Sequence, residues 1–132
     1  MAITKNPGRQ WALVAKVAFG FADFAGESGN PLAAVALPVG ASLIGASLTI
    51  TEAFNSGTSD VIDIAGAGAS LAGTDVTSLG TTQDTSIDST AVAVKTDVTL
   101  EWTGVGAVPT TGAGFALIEY IQDGRANEVV PG

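Results

Sequence analysis

Apolar and polar residues alternate one by one along most of this chain, and the alternation stops at clusters of Gly, Pro, Ser, Asn and Asp. A period of two sends successive side chains to opposite faces of an extended backbone, so the pattern specifies strands with one buried face, joined by turns. A helix needs apolar residues three and four apart, and almost no stretch has that spacing. The fold class that follows is all-β. About six to eight strands suit one two-layered domain, a β-sandwich or jelly roll.

Residues 1–10, MAITKNPGRQ, hold Pro7 and Gly8 and no periodicity. They read as an extended N-terminal arm, which leaves residues 11–132 as a single β-sandwich domain. The first strand is expected near Trp11 to Phe21, with Trp11, Leu13, Ala15, Val17 and Phe19 on one face and Val14, Lys16 and Ala18 on the other. Lys5 and Arg9 ahead of WALVAKVAFGF imitate a secretory signal, but Lys16 in mid-run fits the outer face of a strand better than an apolar signal core. No run approaches the ~18 apolar residues of a membrane helix.

Further along, Pro38 and Gly40 mark a turn, and Gly45 inside ASLIGASLTITEAF suggests a bulge or bend. In VIDIAG, Ile62 and Ile64 share one face and Val61 and Asp63 the other. From Gly66 to Thr90 the apolar residues thin out to Leu71, Val76, Leu79 and Ile87. Loops, short edge strands and a single helical turn are expected there. The clearest strands come last: TAVAVKTDVTLEW, with Val98, Leu100 and Trp102 on one face, and GFALIEYIQ. Their proximity predicts an antiparallel hairpin. The length of the middle connection favours Greek-key crossing over a simple meander.

Composition excludes several functions. Charged residues make up 14% of the chain, well under the roughly 25% of an ordinary soluble domain, which points to a surface covered in part by a partner or by copies of the chain, or to a Thr-rich β surface. The net charge of −8, with only Lys5, Arg9, Lys16, Lys95 and Arg125 as cations, argues against nucleic acid. Without Cys or His there are no disulfides, no thiolate chemistry and no imidazole base or metal ligand.

Carboxylates are the remaining reactive groups. Asp60 with Asp63, Asp84 with Asp88, and Glu101 with Glu119 are the pairs available for acid–base hydrolysis of glycosides, and the first two also for calcium. Glu101 and Glu119 would meet if the last two strands paired; otherwise they are solvated outer-face residues. Neither Asp pair has the spacing of a calcium loop, and two Trp with one Tyr make a sparse supply of sugar platforms. GAGAS at residues 66–70 reads as a loop, since no amphipathic helix follows it. No cofactor motif occurs, and the chain reads as a non-enzyme.

The stretches ALPVGASLIGASLTITEAFNSGTSDVIDI and VTLEWTGVGAVPTTGAGFALIEYIQDGRANE, together about half of the chain, resemble segments of small structural proteins of tailed bacteriophages. The family is the capsid decoration, or cement, proteins. The resemblance implies a jelly-roll or β-sandwich module, without cofactor or metal, on the outer surface of the virion head. Its partner would be the major capsid protein, whose neighbouring subunits it bridges, and it would act as a homo-oligomer, dimer or trimer, without nucleic acid or membrane. Lys5, Arg9, Trp11 and Arg125 are then the candidate capsid or subunit contacts. A phage tail or fibre subunit, and a carbohydrate-binding adhesin module, are the competing readings.

Overall fold

The computed structural model describes residues 12–122. In chain order these form β1 (Leu13–Gly20), α1 (Phe21–Phe24), β2 (Leu32–Leu37), β3 (Ala41–Glu52), β4 (Gly57–Gly66), β5 (Ala69–Asp75), β6 (Gly80–Gln83), β7 (Thr96–Gly106) and β8 (Ala113–Gln122). The strands make two four-stranded antiparallel sheets, ordered β1-β8-β3-β6 and β2-β7-β4-β5. Four of the pairings, β1 with β8, β2 with β7, β3 with β6 and β4 with β5, are those of one long hairpin folded at its middle. Rolling that hairpin up adds β8 beside β3 and β7 beside β4. The result is a jelly roll.

The period-two pattern faces the layers as expected. Ala46, Leu48 and Ile50 of β3, Ile62 and Ile64 of β4, Val98, Leu100 and Trp102 of β7, and Ala116 and Ile118 of β8 are buried between the sheets. Small and branched side chains dominate the middle of the core. The aromatic residues gather at one end, where Phe19 and Phe24 meet edge to face at 5.3 Å and Phe24 stacks on Trp102 at 6.4 Å. Phe54 packs against both phenylalanines at 6.3 Å. Phe24 reaches this plug because α1 turns the chain inward straight after β1, with the Gly20 N–H donating to Asp23 Oδ2 at 2.8 Å.

Four expectations need correction. The final two strands do not form a hairpin: β7 lies between β2 and β4, and β8 between β1 and β3 in the opposite sheet. Each is an inner strand with two hydrogen-bonded neighbours, and residues 107–112 cross between the sheets. The first strand starts at Leu13 and stops at Gly20, because Phe21 opens α1. The only helix among the described residues is therefore here, and the sparse middle of the chain has none. TAVAVK is loop, and β7 starts at Thr96.

Two connections fix the ends of the sandwich. At the aromatic end Asn55 binds the crossover between β7 and β8: Oδ1 accepts from the Thr110 and Thr111 N–H groups at 2.7 and 3.1 Å, and Nδ2 donates to Thr110 Oγ1 at 2.8 Å. Asn55→Ala should lower stability by about 1 kcal/mol, since the site is exposed and water replaces part of the loss. A urea midpoint measurement reads this directly, and an unchanged midpoint would remove the clamp from the account. Elsewhere, residues 84–92 run over the β4–β5 turn and back to β3: the Asp88 N–H donates to Gly68 O and the Val92 N–H to Ala41 O, both at 2.9 Å. Gly68, at φ +102°, has no room for a Cβ beneath the Asp88 carbonyl. GAGAS is accordingly a tight turn with the chain crossing over it.

Candidate functional site

The acidic residues separate into three structural roles. Asp60 points inward with Ile62 and Ile64 and is buried. Its Oδ1 accepts from Trp102 Nε1 at 3.0 Å and its Oδ2 from the Ser56 N–H at 3.0 Å. Asp63 faces outward on the same strand, so the two carboxylates sit on opposite sides of the sheet and form no catalytic pair. Glu101 and Glu119 are on different sheets, Glu101 opposite Asp63 and Glu119 between Val14 and Gly45. The outer-face reading of both holds.

Turn carboxylates form the second group. Asp75, Asp84 and Asp88 each accept from the backbone N–H two residues on, at Thr77, Ser86 and Thr90. Asp84 also accepts from the Ser70 N–H at 2.6 Å, tying the loop to β5. Asp84 and Asp88 thus shape turns one by one. Among the described residues no group of three or more His, Cys, Asp or Glu is gathered to hold a metal ion.

The Thr77 hydroxyl and then its N–H hold the Asp75 carboxyl below its ordinary range, and the Thr90 N–H and then its hydroxyl do the same for Asp88. A carboxyl lowered by folding stabilises the native state above its unfolded value, and that contribution disappears as the pH falls through the folded value. Urea midpoints should therefore decline below about pH 4, and less steeply in Asp75→Asn/Asp88→Asn than in the parent. Identical acid limbs would contradict the assignment. Both groups are exposed, so the difference is small.

The third group sets the character of the outer surfaces. On the β2-β7-β4-β5 sheet the outer residues include Asp63, Asp97, Glu101, Thr99 and Thr103, with no Lys or Arg within its four strands and Lys95 exposed just before β7. The outer face of β1-β8-β3-β6 differs. Register brings Val14 beside Glu119, Lys16 beside Leu117 and Ala18 beside Phe115, and continues to Ser47 and Thr49 on β3. Ile44 is pushed outward by the bulge between Leu43 and Gly45 that the sequence suggested. Phe115 and Leu117 are therefore apolar residues of the surface, with Lys16 Nζ 4.4 Å from the Phe115 ring centroid.

Exposed apolar residues also mark the end at which the described chain starts and stops. Val39 and Val94 are 59% and 67% exposed there. Gln122 Nε2 donates to Val39 O at 3.2 Å, and Leu13 lies opposite Tyr120, so the described chain starts and stops on neighbouring strands at one end of the sandwich. Lys5, Arg9, Trp11 and Arg125, and the arm assigned to residues 1–10, lie outside the described residues. Trp102 is buried, and Tyr120 is half-buried against the core, so neither offers a flat platform to a sugar. No helix of the described residues is long and apolar enough to cross a membrane.

The sequence analysis missed the structural part of Asp60 and the clamp by Asn55. Asp60 was legible in principle: it has the same parity as Ile62 and Ile64, and a carboxylate on a core-facing row requires buried donors. Asn55 gave no such signal, because its partners lie 55 and 56 residues away.

No protein-family model matches the chain, and no curated protein matches it by sequence. Solved structures match over nearly the whole length. A chain of the acidic stable capsid structure of Helicobacter pylori bacteriophage KHP30 is 17% identical with a TM-score of 0.58, covering 83% of this chain and 86% of that one. A chain of the cyanophage Pam1 capsid asymmetric unit is 16% identical with the same TM-score of 0.58, covering 92% of this chain and 91% of its own. At this identity the likeness is one of fold.

Proposed function

We propose that this protein is a structural component of a phage capsid, a decoration protein on the outer surface of the assembled head that bridges neighbouring major capsid subunits. The observation that carries the reading is the correspondence of the jelly roll, over more than four-fifths of both chains, with chains of two phage capsid structures. Placement on the outer surface and the decoration role rest on the sequence resemblance. The action is binding rather than catalysis, in keeping with carboxylates that are buried on Trp102, spent on turns or spread over separate faces.

Lys5, Arg9, Trp11 and Arg125 are the proposed contacts to the shell, since the described chain starts and stops at the same end of the sandwich as Val39 and Val94. Stabilisation follows from mass action: a protein that binds only the assembled lattice favours that state, and many repeated copies add avidity. Cosedimentation of full-length protein and of a form lacking residues 1–10 with empty, expanded heads tests this. Saturable binding by the full chain and at least tenfold weaker binding by the truncated one is expected, about 1.4 kcal/mol or more. Equal binding by both would remove the arm from the contact.

A further inference from the structure

The outer face of the β1-β8-β3-β6 sheet has chemistry that fits one particular partner. Val14, Ala18, Phe115, Leu117 and Ile44 make its apolar ground. Lys16 and Glu119 are its charges on β1 and β8, in adjacent rows on neighbouring strands: Lys16 is opposite Leu117, and Glu119 is opposite Val14, while Asp84, just past β6, borders the same depression as Ser47, Leu117 and Glu119. Lys16 and Glu119 are diagonal neighbours of opposite sign, yet they do not bind one another. Lys16 turns toward Phe115, and the stem of Glu119 leans over Gly45, where a Cβ on that glycine would lie 3.6 Å from it.

We infer that this face is the interface of a two-fold homodimer in which Lys16 of each copy meets Glu119 of the other. A two-fold axis requires a self-complementary patch, in which residue i contacts j while j contacts i. An axis near Leu117 and Val14 places each lysine over the other copy's glutamate and buries the apolar residues between two neutralised pairs. The opposite sheet lacks this pattern: its strands present Asp63, Asp97 and Glu101, and the cation near them, Lys95, lies before β7 at the margin of the face. Stacking that face on itself would set like charges together.

The area bears on the strength. Four strands about 4.8 Å apart, with eight residues rising about 3.3 Å each, give roughly 500 Å² per copy and roughly 1,000 Å² for the pair. That is near the lower bound of about 1,000 Å² for a specific interface, which places the free dimer in the weak, transient class. Copies held close on a surface would pair far more completely. The inference stands on this face alone and does not depend on the shell reading.

Charge exchange tests it. Sedimentation velocity of the full chain from about 1 to about 500 μM should show a monomer–dimer equilibrium. Lys16→Glu and Glu119→Lys should each dissociate on the order of tenfold more readily, because the crossed pairs become like-charged. An equimolar mixture of the two variants should recover association, since every crossed pair is then of opposite sign. Leu117→Asp, at the centre, should abolish it. An unchanged far-UV circular dichroism spectrum and a cooperative thermal melt report that the variants remain folded. A parent that stays monomeric throughout overturns the inference. So does a parent dimer that all three variants leave intact, which would place the interface elsewhere.

Discussion

Asp60→Ala should cost about 3–5 kcal/mol of stability, one of the largest losses available to a single substitution in this chain. The carboxylate is 1% exposed and satisfies the Trp102 indole N–H and the Ser56 backbone N–H together. Truncation leaves both donors buried without an acceptor and opens a void beside the indole. Asp60→Asn keeps the shape and one carbonyl acceptor, so about 1–2 kcal/mol is expected. At about 3–4 °C per kcal/mol for this size, the alanine variant should melt at least about 10 °C lower. Thermal melts of Asp60→Ala, Trp102→Phe and the double variant form a cycle. Losses that add independently would contradict the hydrogen bond between them.

Gly114→Ala should destabilise by about 3 kcal/mol or prevent folding outright, although it adds one methyl group. Gly114 lies on β8, between Phe19 on β1 and Ile50 on β3. A Cβ there would run into the Thr49 carbonyl oxygen and come within 3.1 Å of Phe19 Cζ. The first obstacle is backbone, so no rotamer relieves it, and β3 and β8 must move apart. Gly45→Ala is the internal comparison. Its Cβ would meet only the Glu119 side chain, at 3.6–3.9 Å, and its effect should stay within about 0.5 kcal/mol. Chemical denaturation of the two variants side by side measures the contrast, and equal midpoints would refute it.

The layers of this protein were readable in its sequence, and the pairings were not. Parity alone grouped Ile62 with Ile64, and Val98 with Leu100 and Trp102, on faces that are buried, and it put Lys16 outward, because burial selects side chains one by one along a strand. Partner choice is collective. Among the described strands only β4 and β5 are consecutive and paired, and every other neighbour is distant in sequence. A rule that pairs adjacent strands therefore failed at β7 and β8, where residues 107–112 cross between the sheets under the hold of Asn55.

The surfaces divided along the same line. Phe115 and Leu117 sit in a run whose two faces are both apolar, so parity could not say which face was the core. Ala116 and Ile118 are the buried pair, and the larger side chains are left for the outside. Composition had indicated a charge-poor surface, either covered in part by a partner or simply rich in Thr. The fold places apolar side chains on the outer face of one sheet and acidic ones on the other.

Cryo-electron microscopy of expanded, empty heads incubated with the purified protein tests the proposed role most directly. The account predicts added density at fixed lattice positions on the outer surface, with the sandwich resting on its Val39 and Val94 end between neighbouring capsid subunits. Heads whose reconstruction is identical with and without saturating protein would contradict it.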